Sequence, residues 1–193
     1  MVSYITPYFM KKISLILFLC SALSQEYSWP TGKGKHLSSN FGEFRTTGYH
    51  LGIDVKTKGA EGLPIYAISD GHIERVVTNY SGFGRALYLK LDDGKTAVYA
   101  HLSKFEPDLE ERLKEEQKKV DSYVTNFYLN PKEFRFSKND IIAYSGNTGF
   151  SYGPHLHFEL RDTKIEKPLN PLKYGYFVAD TIAMSNPSLI GLR

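Results

Sequence analysis

The stretch from Arg85 to Ala100, RALYLKLDDGKTAVYA, decides the fold class of this chain. Its two halves, Arg85–Leu91 and Thr96–Ala100, are rich in residues that favour strands. Asp92-Asp93-Gly94 between them is a strong β-hairpin signal. Strands joined by so short a turn run antiparallel. The stretch therefore predicts a hairpin within an antiparallel sheet.

Short apolar runs separated by turn residues continue on both sides of this hairpin. Ser69-Asp70-Gly71 and Ser81-Gly82-Phe83-Gly84 mark two of the turns. Strands this frequent, with few helical stretches among them, predict a mainly β protein with an antiparallel sheet or sandwich core. The other candidate strands are Ser38–Phe44, Gly52–Val55, Pro64–Ile68, His72–Asn79, Asp140–Ser145 and Leu156–Arg161.

One segment, residues 107–128, departs from the strand pattern. Its charged residues crowd together and its apolar residues recur at helical spacing. Pro107 suits a first helical turn, and the acidic residues after it suit the positive end of a helix dipole. We therefore predict one inserted amphipathic helix, ended by Asn130-Pro131 and packed on the sheet; a lid or an arm for a protein partner is the alternative. Its apolar face would comprise Leu109, Leu113, Val120, Tyr123, Val124 and Phe127.

Length and charge limit the classes of function. The 193 residues suffice for one domain with a sizeable core. The formal net charge is +3, and it falls to about +1 if the segment that contains Lys11 and Lys12 is removed. Such a balance gives no reason to propose nucleic acid as a partner.

The first 24 residues have the pattern of a secretory signal peptide. Lys11-Lys12 supplies the positive region, and Ile13–Leu19 is apolar but too short to span a bilayer. Ala22-Leu23-Ser24 resembles a cleavage site, and Met10 is an alternative start. We therefore expect an exported protein, periplasmic or extracellular, without stable membrane insertion after cleavage. An uncleaved anchor is the alternative reading. Cys20, the only cysteine, lies in the same segment, so the mature protein would have no disulfide.

Short segments flank the predicted domain. Residues 25–35 read as an N-terminal extension. The proline-rich run Lys167–Leu172 reads as a domain exit, and Tyr176–Ile182 after it resembles another strand. Residues 173–193 are therefore either a C-terminal extension or the start of a further domain.

His155 and His157 form an H-x-H pair within Gly153–Leu160. On a strand, positions i and i+2 face the same side, about 7 Å apart. That spacing suits one ring binding a metal ion while the other reaches a water on that ion.

His50 and Asp54 form an H-x-x-x-D pattern. In a fully extended chain the two lie about 13 Å apart, too far to chelate one ion. Gly52 and the β-branched Ile53 argue against a helix. We therefore predict a bend near Gly52, with His50 on a loop or strand end. His101, at the end of a strand-like run, adds an imidazole from a separate strand.

Taken in order, these elements resemble the LytM and lysostaphin type of zinc peptidases, the M23 family. The resemblance is specific and covers about residues 36–172. It extends to segments other than the histidines, namely Ser39-Asn40-Phe41-Gly42, Gly62–Ala67 with Asp70-Gly71, Gly82-Phe83-Gly84 and Ser145–Gly149.

The resemblance implies a LytM-like β domain with zinc-dependent endopeptidase activity on peptidoglycan cross-links or stem peptides. It implies that His50, Asp54 and His157 are ligands of one zinc ion, and that His155 and His101 are the two non-ligand histidines of the active site. Three protein ligands leave an open position, as in catalytic zinc sites. We assign His155 as the general base and His101 to the oxyanion or the water, although the two could exchange duties.

Two other functions stay open at this point. Some relatives of the family lack the ligands and activate other wall hydrolases, so a catalytically inactive module that binds or activates such enzymes is the alternative. A structural β domain with incidental histidines is the third. All five positions carry the expected residue types, which favours the enzyme. The helical insertion, residues 106–133, is longer than the usual family link and would narrow the cleft or bind a protein partner.

A few residues near these motifs have two interpretations. Glu159 would orient a histidine or be structural. Tyr144, Phe150 and Tyr152 would line a substrate groove or lie in the core. The two remaining histidines, His36 and His72, are expected to be surface or packing residues.

Overall fold

The structure is a computed structural model and describes residues 27–46 and 48–176. The predicted signal segment therefore lies outside the described residues. No helix in the described part is both long and apolar enough to cross a lipid bilayer. The strands are β1 Leu37–Ser39, β2 Phe44–Arg45, β3 Gly48–Tyr49, β4 Ile53–Lys56, β5 Pro64–Tyr66, β6 Gly71–Thr78, β7 Arg85–Leu91, β8 Lys95–Ala100, β9 Lys104–Phe105, β10 Thr125–Tyr128, β11 Arg135–Phe136, β12 Ile141–Tyr144, β13 His155–Asp162 and β14 Pro168–Leu169.

The strands form one large sheet, one small sheet and a hairpin. The large sheet has the order β1-β4-β13-β8-β7-β6-β10, with β11 and β14 added at β6 and β13. The small sheet has the order β5-β12-β9, and β2 pairs with β3. The predicted hairpin is confirmed: β7 and β8 pair antiparallel, with Leu87 opposite Tyr99 and Leu89 opposite Ala97. The antiparallel, mainly β prediction is therefore confirmed as well.

Strand β13 shows how a period of two divides the large sheet between core and site. Leu156, Phe158 and Leu160 are fully buried in the main core, together with residues of the small sheet. Because successive side chains on a strand point to opposite faces, the residues that alternate with these three lie on the other face. Those residues are His155, His157 and Glu159.

The helix α1 spans Pro107–Val120, so the prediction of a helix through residue 128 is wrong at its C-terminal end. Asp121 adopts a left-handed conformation, with φ of 47°, and its N–H bonds back to the last turn. Its neighbour Ser122 donates to the carbonyl oxygen of Gln117 at 3.1 Å. Two backbone hydrogen bonds of this kind are a common way to end a helix. The last helical residue, Val120, lies ten residues before Asn130.

The rest of the predicted helix forms strand β10, which pairs with β6. Pairing with β6 overrides helical periodicity here, because it satisfies the backbone groups along the edge of β6 as well as those of β10, whereas a longer helix would satisfy only its own. Leu109 and Leu113 are buried as predicted, whereas Val120 is 57% exposed. The other residues assigned to the apolar helix face, Tyr123, Val124 and Phe127, follow α1.

The predicted strand Ser38–Phe44 is also wrong, since only its ends are extended, in β1 and β2. Gly42 takes a φ of +81°, which an L side chain rarely adopts. The carboxylate of Glu43 accepts a hydrogen bond from the Asn40 N–H at 2.6 Å. The resulting turn bonds to the backbone of His50 on both sides. The interruption of the strand thus positions a candidate site residue.

Packing continues past both limits of the expected domain, 36 and 172. Near the N-terminus Trp29 is buried, and its ring contacts Tyr176 edge-on at 5.1 Å. The same tyrosine packs on Phe158 of β13 at 5.7 Å. The segments at both ends of the described chain therefore cover the inner face of the strand that carries the H-x-H pair. Residues 177–182 of the last candidate strand lie outside the described residues.

Candidate metal centre and catalytic cleft

Two paired strands and one bend bring the candidate ligands together. Asp54 on β4 lies directly opposite His157 on β13, so the two side chains share the outer face of the sheet. His50 reaches the same point because the chain bends at Gly52 before β4 begins. A Cβ at Gly52 would lie 2.4 Å from the Phe158 carbonyl oxygen, so only glycine allows this approach. The predicted bend is confirmed.

Three ligand-type atoms converge on one point in the buried interior of this face. The His50 Nε2 lies 3.0 Å from the His157 Nδ1 and 3.1 Å from the Asp54 Oδ1. The third edge, His157 Nδ1 to Asp54 Oδ1, is 2.9 Å. Among the described residues these three form the one cluster of this kind. The structure therefore brings together the three side chains that the sequence assigned to a metal.

The partners of the two rings fix which nitrogen carries the proton. The Nδ1 of His50 lies 2.8 Å from the carbonyl oxygen of Asn40, which can only accept. The Nε2 of His157 lies 3.0 Å from a carboxylate oxygen of Glu159. Each neutral ring therefore donates outward and presents a lone pair to the point of convergence.

This arrangement fits a zinc ion. Two nitrogen lone pairs and a carboxylate oxygen repel one another at 2.9–3.1 Å unless a cation or a proton lies between them. Tetrahedral zinc, with bonds of about 2.0–2.1 Å, holds its ligand atoms about 3.3 Å apart. The triangle needs to widen only slightly to reach that spacing. Imidazole and carboxylate ligands are also a usual catalytic zinc set.

Asp54 is held as a carboxylate that offers one oxygen. Burial raises its pKa, but the adjacent imidazoles of His157 and His50, which donate to this carboxylate when they carry a second proton, outweigh burial and hold the pKa well below its usual range. Its second oxygen, Oδ2, accepts a hydrogen bond from Arg45 Nη2 at 2.6 Å. The same guanidinium nitrogen donates to Ser39 Oγ at 2.7 Å. Sequence reasoning missed Arg45, because no spacing pattern connects a residue of the short β2–β3 hairpin to Asp54.

Glu159 contacts His157 at the ring nitrogen that faces away from the cluster. This contact favours the interpretation that Glu159 orients a histidine. Burial raises the pKa of this carboxyl, but His157 and Arg161 lower it further, so the net shift is downward. Arg161 Nη2 lies 2.6 Å from Glu159 Oε2. A buried, ionised carboxylate thus orients the imidazole, as in many metal sites where a histidine ligand donates to an acid.

The other two predicted site histidines lie beside the cluster, each at a point where a strand meets a loop. His101 follows β8 with a φ of +59°, and its Nδ1 lies 2.8 Å from the carbonyl oxygen of Thr148. His155 begins β13, and its Nδ1 lies 2.8 Å from the carbonyl oxygen of Gly153. The two ring centroids are 4.8 Å apart. In both neutral rings Nε2 is therefore the nitrogen with the free lone pair.

His155 is the nearer of the two to the carboxylate, and His101 is the more buried. The Nε2 of His155 lies 3.7 Å from Asp54 Oδ1. Burial lowers the pKa of His101 to about 4, although the Thr148 carbonyl acts in the opposite direction. His101 is therefore a neutral imidazole near neutral pH.

A backbone contact between two loops sets the position of the Thr148 carbonyl. Gly149 has a φ of +72°, and a Cβ there would lie 2.3 Å from the backbone nitrogen of Gly84. Thr148 Oγ1 also donates to the Leu102 carbonyl at 2.8 Å and accepts from the Arg85 N–H at 2.9 Å. The glycine-rich segments 82–84 and 145–149 thus support the ring of His101.

A cleft of about 720 Å³ opens over these groups. Asp54, His101 and His155 lie at its base, and Phe150 and Tyr152 form one wall. The two aromatic rings are 64% and 94% exposed and pack edge-on at 5.3 Å. The groove interpretation holds for this pair, whereas Tyr144 lies on β12 of the small sheet. His36 is exposed and His72 lies on β6, away from the cluster.

An antiparallel β domain with this His/Asp group and two adjacent imidazoles matches the LytM type of metallopeptidase domain. Residues 48–120 match the family model described as peptidase family M23. This match confirms the resemblance to the M23 family that the motifs indicated.

Similar proteins agree with this assignment. The chain is 32% identical over 146 residues to the glycyl-glycine endopeptidase ALE-1 of Staphylococcus capitis, which covers 72% of this chain and 33% of the relative. It is 32% identical over 123 residues to an uncharacterized metalloprotease of Haemophilus influenzae, which covers 64% of this chain and 20% of the relative. The chain thus spans between a fifth and a third of the length of these two relatives.

A solved structure supports the fold. The catalytic domain of lysostaphin from Staphylococcus simulans superposes with a TM-score of 0.53 at 25% identity. The match covers 72% of this chain and 91% of that domain. The similarity therefore extends over most of this chain, and not only over the motifs.

Proposed function

We propose that this chain is a zinc-dependent endopeptidase that hydrolyses peptide bonds of peptidoglycan, in cross-links or stem peptides. The observation that carries the proposal is the triangle of His50 Nε2, Asp54 Oδ1 and His157 Nδ1, with edges of 2.9–3.1 Å, of which Asp54 lines an open cleft. The match to the M23 family model supports the peptidase activity. The names of ALE-1 and lysostaphin support the bacterial cell wall as the substrate.

In this proposal His50, Asp54 and His157 hold one zinc ion. When bound, zinc supplies Lewis-acid chemistry that activates water and polarises a scissile carbonyl. Glu159 keeps the His157 ring turned so that Nδ1 faces the ion. Arg45 occupies the second oxygen of Asp54, so that this carboxylate offers a single oxygen.

The two remaining histidines carry out the proton transfers. His155 acts as the general base, because its Nε2 is free and lies 3.7 Å from Asp54 Oδ1, next to the cluster. It accepts a proton from the attacking water and passes it to the leaving amine. His101, a neutral imidazole whose Nδ1 is bound to the Thr148 carbonyl, positions that water by accepting a hydrogen bond through its free Nε2.

The chain organisation follows the sequence pattern. We propose that residues 1–24 are a signal peptide, so that the enzyme is exported to the compartment that contains peptidoglycan. Residues 36–172, with the insertion at 106–133, form the peptidase domain, preceded by the extension 25–35. Residues 173–193 form the C-terminal extension. The exposed surface of α1 is the candidate for a protein partner.

Digestion of purified peptidoglycan tests the proposal. The protein is incubated with walls of several cross-link types, and the products are separated and identified by mass. New amino and carboxyl termini should appear at one type of peptide bond, and a chelator should abolish the reaction until zinc is added back. Zinc binding without any cleavage would instead support the inactive module that activates other hydrolases.

A further inference from the structure

The base of the cleft continues past the metal centre along the same two strands. Asp54 lies opposite His157, and one step further Lys56 lies opposite His155. Because Asp54 and Lys56 are two residues apart on β4, their side chains share the outer face of the sheet. Beyond them Thr57 Oγ1 donates to the carbonyl oxygen of Pro154 at 3.0 Å. This bond ties the end of β4 to the loop that precedes His155.

The side chains that line this part of the cleft carry more positive than negative charge. The cleft is lined by three cationic side chains, Arg45, Lys56 and Lys58, and by one carboxylate, Asp54. Both oxygens of Asp54 are already engaged, one by Arg45 and one by the histidines. Within residues 27–46 and 48–176, neither lysine side chain forms an ion pair. Two exposed ammonium groups therefore face the cleft without a partner from the described chain.

We propose that Lys56 and Lys58 bind a free carboxylate of the peptide substrate, and that the enzyme is specific for acidic peptides over neutral ones such as oligoglycine. The inference rests on the proposed function and assigns its substrate class. An extended peptide advances about 3.3 Å per residue. Lys56 and Lys58 are two and four residues from Asp54 on the chain, so the carboxylate would lie within about three residues of the scissile bond.

The physical argument is one of complementarity. A free carboxylate placed between two unpaired ammonium groups gains attraction from both, and a neutral chain gains from neither. The groups are exposed, so each contact is worth little alone. Two of them together correspond to about a 3- to 30-fold preference. This attraction stabilises the bound substrate and the transition state equally, so its loss should appear chiefly as a higher KM.

The test compares two peptides that differ only in their carboxylates, and a third that is neutral throughout. One is a cross-linked stem peptide with its free carboxylates, the second is the same peptide with those carboxylates amidated, and the third is pentaglycine. Wild-type protein and the double variant Lys56→Gln/Lys58→Gln are assayed at low salt. The free-acid peptide should lose about 3- to 30-fold in kcat/KM on substitution, mainly through KM, while the amidated peptide changes by less than about twofold.

Two controls separate specificity from folding. Lys132→Gln removes an equally exposed lysine outside the cleft and should leave every rate unchanged. The double variant should retain the zinc content and melting temperature of the wild type, since neither lysine contributes an ion pair among the described residues.

The charge reversal Lys56→Glu/Lys58→Glu should shift the preference to the amidated peptide. Added salt should reduce the preference of the wild type, because screening weakens exposed contacts.

The outcomes are distinct. Wild-type cleavage of the free-acid and amidated peptides at equal rates, or efficient cleavage of pentaglycine, would overturn the carboxylate site and leave the endopeptidase intact. An equal loss on both stem peptides in the double variant would also overturn it, since the lysines would then act on the fold or the zinc. If wild-type protein loaded with zinc cuts none of the three, both the proposed function and this inference fail.

Discussion

The three candidate ligands and the two remaining histidines lie within a few ångströms of one another but are held in different ways. On the ligand side, Asp54 and His157 are fixed by charged partners, Arg45 at 2.6 Å and Glu159 at 3.0 Å, while the third ligand, His50, is fixed by the Asn40 carbonyl at 2.8 Å. On the other side, His101 and His155 are each fixed by a backbone carbonyl at 2.8 Å.

This difference in partners fits the role that each set of side chains has in the proposed function. Ionised partners keep a carboxylate charged and an imidazole turned with its lone pair inward, which suits a cation. A neutral carbonyl fixes the ring without favouring the charged imidazole as strongly as a carboxylate would. A base that gains and loses a proton in each cycle needs that freedom. In the proposed function, one face of the sheet therefore contains a binding half, the three candidate zinc ligands, and a proton-transfer half, His101 and His155, and substitutions in each half should have different results.

The largest effect is expected from Asp54→Ala. The substitution removes one of three ligands and leaves Arg45 near two imidazoles. Zinc content should fall below about one tenth of the wild-type value, and wall digestion should become undetectable. Metal analysis and the digestion assay on the same preparation check this. Retained zinc with normal activity would show that the carboxylate is not a ligand.

His155→Ala should separate the two halves. Zinc content should remain near the wild-type value, while kcat falls by about 10²- to 10⁴-fold, because only the proton acceptor is lost. His101→Ala is the matched variant from the same half and should also retain zinc. Digestion by His155→Ala at a rate close to wild type would make the base assignment wrong.

Glu159→Gln should weaken the binding half without removing a ligand. The amide still accepts a hydrogen bond but carries no charge, so the His157 ring is less basic. Zinc affinity should fall by about 10- to 100-fold, measured by competition with a chelator. Glu74→Gln is the matched control, since Glu74 forms an ion pair with Lys90 on a different part of the sheet. An unchanged affinity in Glu159→Gln would assign Glu159 to packing alone.

Arg45→Met should have the smallest effect of this series. Asp54 then loses a hydrogen bond at its outer oxygen but retains both imidazole contacts, so zinc affinity should fall by only a few fold, and less than in Glu159→Gln. Arg135→Met removes a similar 2.6 Å contact to Asp92 at an exposed site and should leave affinity unchanged. A loss larger than that of Glu159→Gln would show that the hairpin is the main support of the centre.

The sequence predicted the elements whose evidence is local. Alternation and turn residues located β7, β8 and their hairpin, because each strand there is regular and the turn is short. The H-x-H and H-x-x-x-D spacings, together with the family resemblance, named the five side chains that the structure brings close together. The bend at Gly52 also followed from local propensities.

The errors occurred where tertiary contacts decide. Residues 125–128 have helical periodicity but pair with the edge of β6. Residues 40–43 lie between extended segments but turn at Gly42 to hold His50. The carbonyls of Asn40 and Thr148 and the contact of Arg45 have no sequence pattern, since each depends on how separate segments of the chain meet. The supports of a site are therefore harder to predict than the site residues.

The central claim is that His50, Asp54 and His157 bind one zinc ion through two imidazoles and one carboxylate. X-ray absorption at the zinc edge, on the purified full chain with its metal content quantified, tests this most directly. We predict about one zinc per chain, with two imidazoles and the remaining ligands oxygen at about 2.0–2.1 Å. A chain that binds no stoichiometric zinc at neutral pH, or whose zinc shows sulfur or fewer than two imidazoles, would contradict the claim.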